Sequence, residues 1–205
     1  MTRTSTVLLL NLILACGVAG LTGCAGVVIG GAATGAAVAN DPRTTGTVID
    51  DQGIEIKAHN MFNADDALDK LTHIEVTSYN GMVLLTGQAP KEELKARAAD
   101  LVSRIAKVRH VYNEIEIGQP TSGMVRTNDG LITTKVKAKL VSIKNLESSR
   151  IKVVTENSVV YLLGFLDKPT ADAVADVVAG LSPVRKVVKL FEYPNQATPA
   201  PATNN

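Results

Sequence analysis

The sequence predicts an α+β protein in which one small unit is written twice. Three observations lead there. Residues 50 to 117 and 128 to 193 follow the same order of apolar, turn and helix-start residues at an offset of 76 to 78 positions. Inside each copy, alternating apolar residues flank a tight turn, which is the mark of a hairpin. Around each hairpin lie segments with helix-start signals and apolar residues at helical spacing. The order in each copy is helix, strand, strand, helix, strand, and two helices laid on one face of a three-stranded sheet would bury the apolar side.

Each element has its own justification. The opening helix of the first copy is weakly marked, roughly Asp51 to Phe62. In the second copy Asn128-Asp129 reads as a capping signal, and Ile132, Val136 and Leu140 recur every four residues as a core stripe. The first strand follows, with Ile74 and Val76 matched by Ile151 and Val153. Asn80-Gly81 is a strong two-residue turn, and the run Met82-Val83-Leu84-Leu85-Thr86-Gly87 aligns with Val159-Val160-Tyr161-Leu162-Leu163-Gly164. Gly87 and Gly164 end these strands, where the backbone needs positive φ or a close approach to the following helix. Helices then run from Pro90 to Ile105 and from Pro169 to Leu181, with proline in the first turn. Each copy closes on a strand, Val111 to Ile117 and Val187 to Tyr193. A unit of about 70 residues is marginal alone, so the two copies are expected to pack together.

The first forty residues belong to export rather than to the fold. Arg3 precedes an apolar run from Val7 to Ala15, a signal-peptide profile. Leu21-Thr22-Gly23-Cys24 then matches a bacterial lipobox, and Cys24 is the expected acceptor of the lipid. A second lipobox-like stretch ends at Cys16, but cleavage there leaves an apolar core of about nine residues. An uncleaved membrane helix drawn from residues 7 to 39 would need about 20 apolar residues and would be interrupted by glycines throughout. The domain plan is therefore a signal peptide over 1–23, the lipidated Cys24 and a small-residue tether to 43, a first module over 44–118, a second over 119–193, and a Pro/Ala/Asn tail over 194–205 expected to be disordered.

Composition excludes several functions. Three Phe, four Tyr and no Trp leave little for aromatic stacking on nucleic acid, and a net charge of +1 gives no whole-chain attraction to it. Both cysteines lie within the first 24 residues, so no disulfide framework or cysteine-ligated metal is available to the modules. His59, His73 and His110 are isolated from one another, and no nucleophile motif, phosphate loop or paired catalytic carboxylates are present. The acidic pairs Asp50-Asp51 and Asp65-Asp66 read as solvated carboxylates in loops or helix starts. No enzyme, no cofactor and no metal are expected.

The repeated unit, with its turn, its V-x-L-x-G hairpin and its V-x-x-V before the last strand (Val108-Arg109-His110-Val111 and Val184-Arg185-Lys186-Val187), resembles the BON domain. With the lipobox and tether, the whole chain resembles the dual BON-domain outer-membrane lipoproteins of Gram-negative bacteria, and Arg43-Thr44-Thr45-Gly46 and Val111-Tyr112-Asn113 also fit that family. The resemblance implies a palmitate-bearing lipoprotein on the periplasmic side of the outer membrane, concerned with envelope integrity and the division site. Ala25, after the cysteine, is not the Asp that commonly retains lipoproteins at the inner membrane.

The two copies differ in charge. Residues 44 to 118 hold eight Lys/Arg against twelve Asp/Glu; residues 119 to 193 hold eleven against seven. In the second copy Lys135, Lys137 and Lys139 lie on the first helix, with Lys144 beyond it, and Leu131, Lys135 and Lys139 share a face at four-residue spacing. Such a row fits the footprint of a helix on an anionic membrane surface. It also fits the solvated side of an amphipathic helix. The resemblance favours the first, since the family's second BON unit is the one implicated in phospholipid binding. Carried onto this sequence, its contacts fall on Leu131, Thr133, Lys135 and Lys139. Relatives place Trp where this chain has Leu131, an interfacial aromatic it lacks. The expected function is binding of anionic phospholipid; the alternative is an adaptor for the outer-membrane protein assembly machinery. A sensor of a small ligand would need a cavity between the copies that no sequence pattern reveals.

Overall fold

The computed structural model describes residues 43–193, so the lipobox with Cys24, the tether up to residue 42 and the tail from 194 lie outside the described residues. Among the described residues no helix is long and apolar enough to cross a membrane. The first module runs α1 (Thr45–Asn63), α2 (Asp66–Leu71), β1 (His73–Tyr79), β2 (Met82–Ala89), α3 (Glu92–Ser103), β3 (His110–Asn113) and β4 (Glu116–Ile117). The second runs α4 (Gly123–Val141), a 3-10 turn (Ser148–Arg150), β5 (Ile151–Glu156), β6 (Val159–Phe165), α5 (Lys168–Ala179) and β7 (Lys186–Glu192). The predicted α+β order is present in both.

Each sheet is an antiparallel hairpin with a parallel third strand: β1 pairs β2 and β2 pairs β3, then β5 pairs β6 and β6 pairs β7. The parallel partner requires a crossover, which α3 and α5 supply. The final strand of the first module is not the single run expected over Val111 to Ile117. Pairing along β2 is in one register, Leu85 with Asn113 and Gln88 with Glu116, but it breaks between them. There Ile115 is buried in the helix-side core and its N–H turns to the Asn113 side-chain oxygen.

Both opening helices begin earlier than the sequence signals placed them. Thr44 caps α1, its hydroxyl accepting from the Thr47 N–H, and Ser122 caps α4 in the same way through the Val125 N–H. Asp129 is therefore not a cap. It and its counterpart Asp51 sit buried in the middle of their helices and reach across to the hairpin turn. Asp129 accepts from the N–H groups of Asn157 and Ser158, both at 2.8 Å. Asp51 accepts from the Asn80 and Gly81 N–H groups at 2.7 and 2.8 Å, from the Ser78 hydroxyl at 2.7 Å and from Arg43 at 2.9 Å. This corrects the reading of Asp51 as a solvated carboxylate. The turns run with positive φ at both central residues, Asn80 and Gly81 in one, Asn157 and Ser158 in the other, which sets the four N–H groups toward the carboxylates. Of the second acidic pair, Asp65 caps the short α2, which the sequence did not signal.

Gly87 and Gly164 lie within β2 and β6 rather than at their ends, and what approaches them is the start of the preceding strand, not the following helix. A Cβ on Gly87 would sit 1.9 Å from the His73 carbonyl oxygen, and one on Gly164 would sit 2.4 Å from that of Arg150. Gly87 also holds φ +109°, a conformation that side chains rarely adopt.

The central strands are apolar on both faces because both faces are covered. Val83 and Leu85 of β2 face the helices of their own module, as do Val160 and Leu162 of β6. The intervening Leu84, with Tyr79, packs against Val159, Tyr161, Leu163 and Leu190 of the other module, forming a third core between the sheets. The polar rim of this interface is reciprocal. Asn80 at the first turn donates to Glu192 at the end of β7, and Asn157 at the second turn donates to Glu116 of β4 at 3.0 Å. Equivalent residues of the repeat thus meet across a pseudo-twofold relation.

Candidate functional site

The site is built on α4. At about 100° per residue, Asp129, Ile132, Val136 and Leu140 fall on one side of this helix and are buried. The opposite side carries Met124, Leu131 and Ala138 at seven-residue spacing, nearly in line along the axis. Met124 is 83% exposed and Leu131 65%. A large apolar side chain left this open on a soluble surface gains nothing from folding, and two in one line form a ridge.

Lys135 and Lys139 flank the ridge on one side, and both are exposed. The Lys135 ammonium donates to the Ser182 carbonyl, 2.5 Å away in the loop after α5. Lys137 and Val141, the latter 72% exposed, lie on the other flank. The structure thus brings Leu131, Lys135 and Lys139 together. It does not bring Thr133 to them: that residue lies about 160° round the helix from Lys135, is half-buried, and its hydroxyl donates to Thr155 of β5 at 2.8 Å. Sequence reasoning missed Met124 and Val141. The seven-residue step from Met124 to Leu131 was available, but the misplaced helix start had put Met124 outside the helix.

Further charged groups line the module boundary. A shallow groove of about 590 Å³ there is lined by Glu114, Glu116, Tyr161, Arg185 and Lys186, among others. Burial, then the carboxylates of Glu114 and Glu116, push the Tyr161 phenol well above its ordinary range, so it stays neutral. Among the described residues no group of His, Cys, Asp or Glu is placed to hold a metal.

The described residues form a duplicated helix-on-sheet module with a lysine-flanked apolar ridge on its second copy. Comparison with known proteins gives the family. The BON domain model matches residues 50–119 and 128–195, and the chain belongs to the BON-domain family. It is 40% identical over 173 residues to the outer membrane lipoprotein DolP of Haemophilus influenzae, covering 84% of this chain and 90% of that one. It is 37% identical over 153 residues to the 21 kDa hemolysin of Actinobacillus pleuropneumoniae, covering 75% and 79%. The osmotically-inducible protein Y of Escherichia coli is 26% identical over 150 residues, covering 70% and 74%. These similarities place the chain among the outer-membrane lipoproteins of the cell envelope, and its relatives are BON-domain proteins rather than enzymes.

Proposed function

We propose that this protein binds anionic phospholipid on the periplasmic side of the outer membrane through α4 of its second module, and that by doing so it supports envelope integrity, at the division site in particular. The observation that carries this is the ridge of Met124 and Leu131 standing outward beside Lys135 and Lys139. An interfacial helix needs an apolar line to enter the headgroup region and cations beside it to meet lipid phosphates. Each lysine near an anionic leaflet contributes about 1 kcal/mol, so the pair accounts for about 30-fold in affinity. Met124 extends the apolar line and supplies area that the absent aromatic at position 131 would otherwise have given. Thr133 acts in this reading by tying α4 to β5. Lipidation at Cys24 holds the modules near the membrane, so α4 engages at high effective concentration.

The test is vesicle co-sedimentation of a chain beginning at Arg43, which carries both modules without the anchor. Wild type is compared with Lys135→Glu/Lys139→Glu, with and without phosphatidylglycerol, at low and high salt. Binding that needs phosphatidylglycerol, weakens with salt and falls at least about 30-fold in the variant supports the reading. Equal binding by both forms, or none, refutes it. A second reading, an adaptor for outer-membrane assembly machinery, is favoured by one observation: Ile49 and Ile56 stand exposed on α1 of the acidic module, one heptad apart.

A further inference from the structure

The polar contacts between the modules are not equally well compensated. Glu192 receives the Arg109 guanidinium at 2.8 Å as well as Asn80. Glu156, the last residue of β5, is only 7% exposed, and from the other module it accepts a hydrogen bond from the Gln88 amide nitrogen of β2, at 2.6 Å. Gln88 is itself 3% exposed, and its orientation is fixed, because its amide oxygen accepts from the Thr121 N–H at 2.9 Å. It can therefore offer Glu156 only an N–H donor. A neutral amide is weak compensation for a carboxylate taken out of water, whereas the protonated acid keeps the same acceptor oxygen at no charge-burial cost.

The groups that face Glu156 from the surrounding elements make ionisation harder still. They are His73 and Glu75 of β1, Asp129 of α4 and the neutral Tyr161 phenol of β6, two carboxylates against one histidine. Burial first, then the neighbouring acids, push the Glu156 carboxyl above its ordinary value of 4.5, while the Gln88 bond and His73 pull the other way.

We propose that Glu156 and Gln88 form an acid-strengthened latch between the two modules, in which a proton on Glu156 tightens the seating of one sheet on the other and ionisation loosens it. The sign follows from linkage. The packed state holds its proton to higher pH than the unfolded chain does, so the latch is at full strength below the ordinary carboxyl value and is lost as pH rises from there through the raised one. This is opposite to the usual surface carboxylate paired with a cation. It concerns the β5–β2 contact and is independent of α4 and of lipid.

The test uses the full chain. Carbon-13 NMR of the Glu156 carboxyl gives its titration directly, and urea unfolding at a series of pH values from about 4 to about 8 gives the energetic consequence. Glu156→Gln keeps the acceptor for Gln88 and removes the charge. The wild-type urea midpoint is expected to fall relative to Glu156→Gln by about 0.3 M or more across this range. Gln88→Met, which removes the donor, is expected to move the Glu156 titration further upward. A Glu156 titration at or below 4.5, wild-type and Glu156→Gln profiles that run parallel, or a Glu156 titration indifferent to Gln88→Met would each overturn the proposal.

Discussion

Asp50 and Asp51 are neighbours of the same type on the same helix, and the structure predicts opposite consequences for losing them. Asp51 is 3% exposed and accepts four hydrogen bonds, from Ser78, Asn80, Gly81 and Arg43, at 2.7 to 2.9 Å. Hydrogen bonds to a charged group contribute about 1.5–3 kcal/mol each, but they are not additive. Removing one partner of a buried charged cluster costs about 3–5 kcal/mol, because the donors left behind have no water to turn to. Asp51→Ala leaves the two backbone N–H groups of the turn in that position, and the turn conformation that presents them loses its counterpart. Arg43 also stacks over the Tyr79 ring at 4.2 Å, so its displacement reaches the intersheet core. Asp50, by contrast, pairs with Lys107 at 2.6 Å on the surface. Its removal should change stability by no more than about 0.5 kcal/mol. Urea unfolding of both variants measures this. With a slope of about 1–3 kcal/mol per molar urea, the Asp51→Ala midpoint falls by at least about 1 M while that of Asp50→Ala stays near wild type. An Asp51→Ala midpoint within about 0.3 M of wild type would show that the carboxylate does not organise the turn.

The other predictions rest on separate elements. Gly87→Ala drives a Cβ against the His73 carbonyl and should destabilise by about 3 kcal/mol or more in thermal or urea unfolding, whereas Gly53→Ala, with open space around it in α1, should stabilise by about 0.5–1 kcal/mol. Hydrogen bonds from Lys168 and then Lys189 hold the Asp172 carboxyl below its ordinary value of 3.8. Its contribution is therefore present above that value and lost as pH falls through the depressed one, so Asp172→Asn should flatten the acid limb of the unfolding profile, a response opposite in sign to that of Glu156. Leu131→Asp should weaken vesicle binding without moving the urea midpoint, since the side chain touches solvent rather than core; a matching loss of stability would instead make Leu131 a packing residue.

Much of this protein is determined by its sequence alone, because the signals concerned are local. The duplication, the Asn80-Gly81 turn, the Ile132/Val136/Leu140 stripe and the lysine row on the same helix follow from spacing and residue type within a few turns of chain. What only the tertiary structure decided involves partners distant along the chain. Asp51 and Asp129 looked like solvated or capping carboxylates until the fold brought turns some 28 to 30 residues away onto them. Gly87 looked like a strand end until the first carbonyl of β1 was found where its side chain would be. The marginal size of each unit predicted that the two copies pack together, but not that Tyr79 and Leu84 of one sheet would meet Val159, Tyr161, Leu163 and Leu190 of the other. Likewise Thr133 sits at the right place along α4 and on the wrong side of it, because strand β5 claims that flank. Pattern fixes which residues leave water; which atoms they then meet depends on how separate elements are brought together, and a one-dimensional sequence does not carry that geometry.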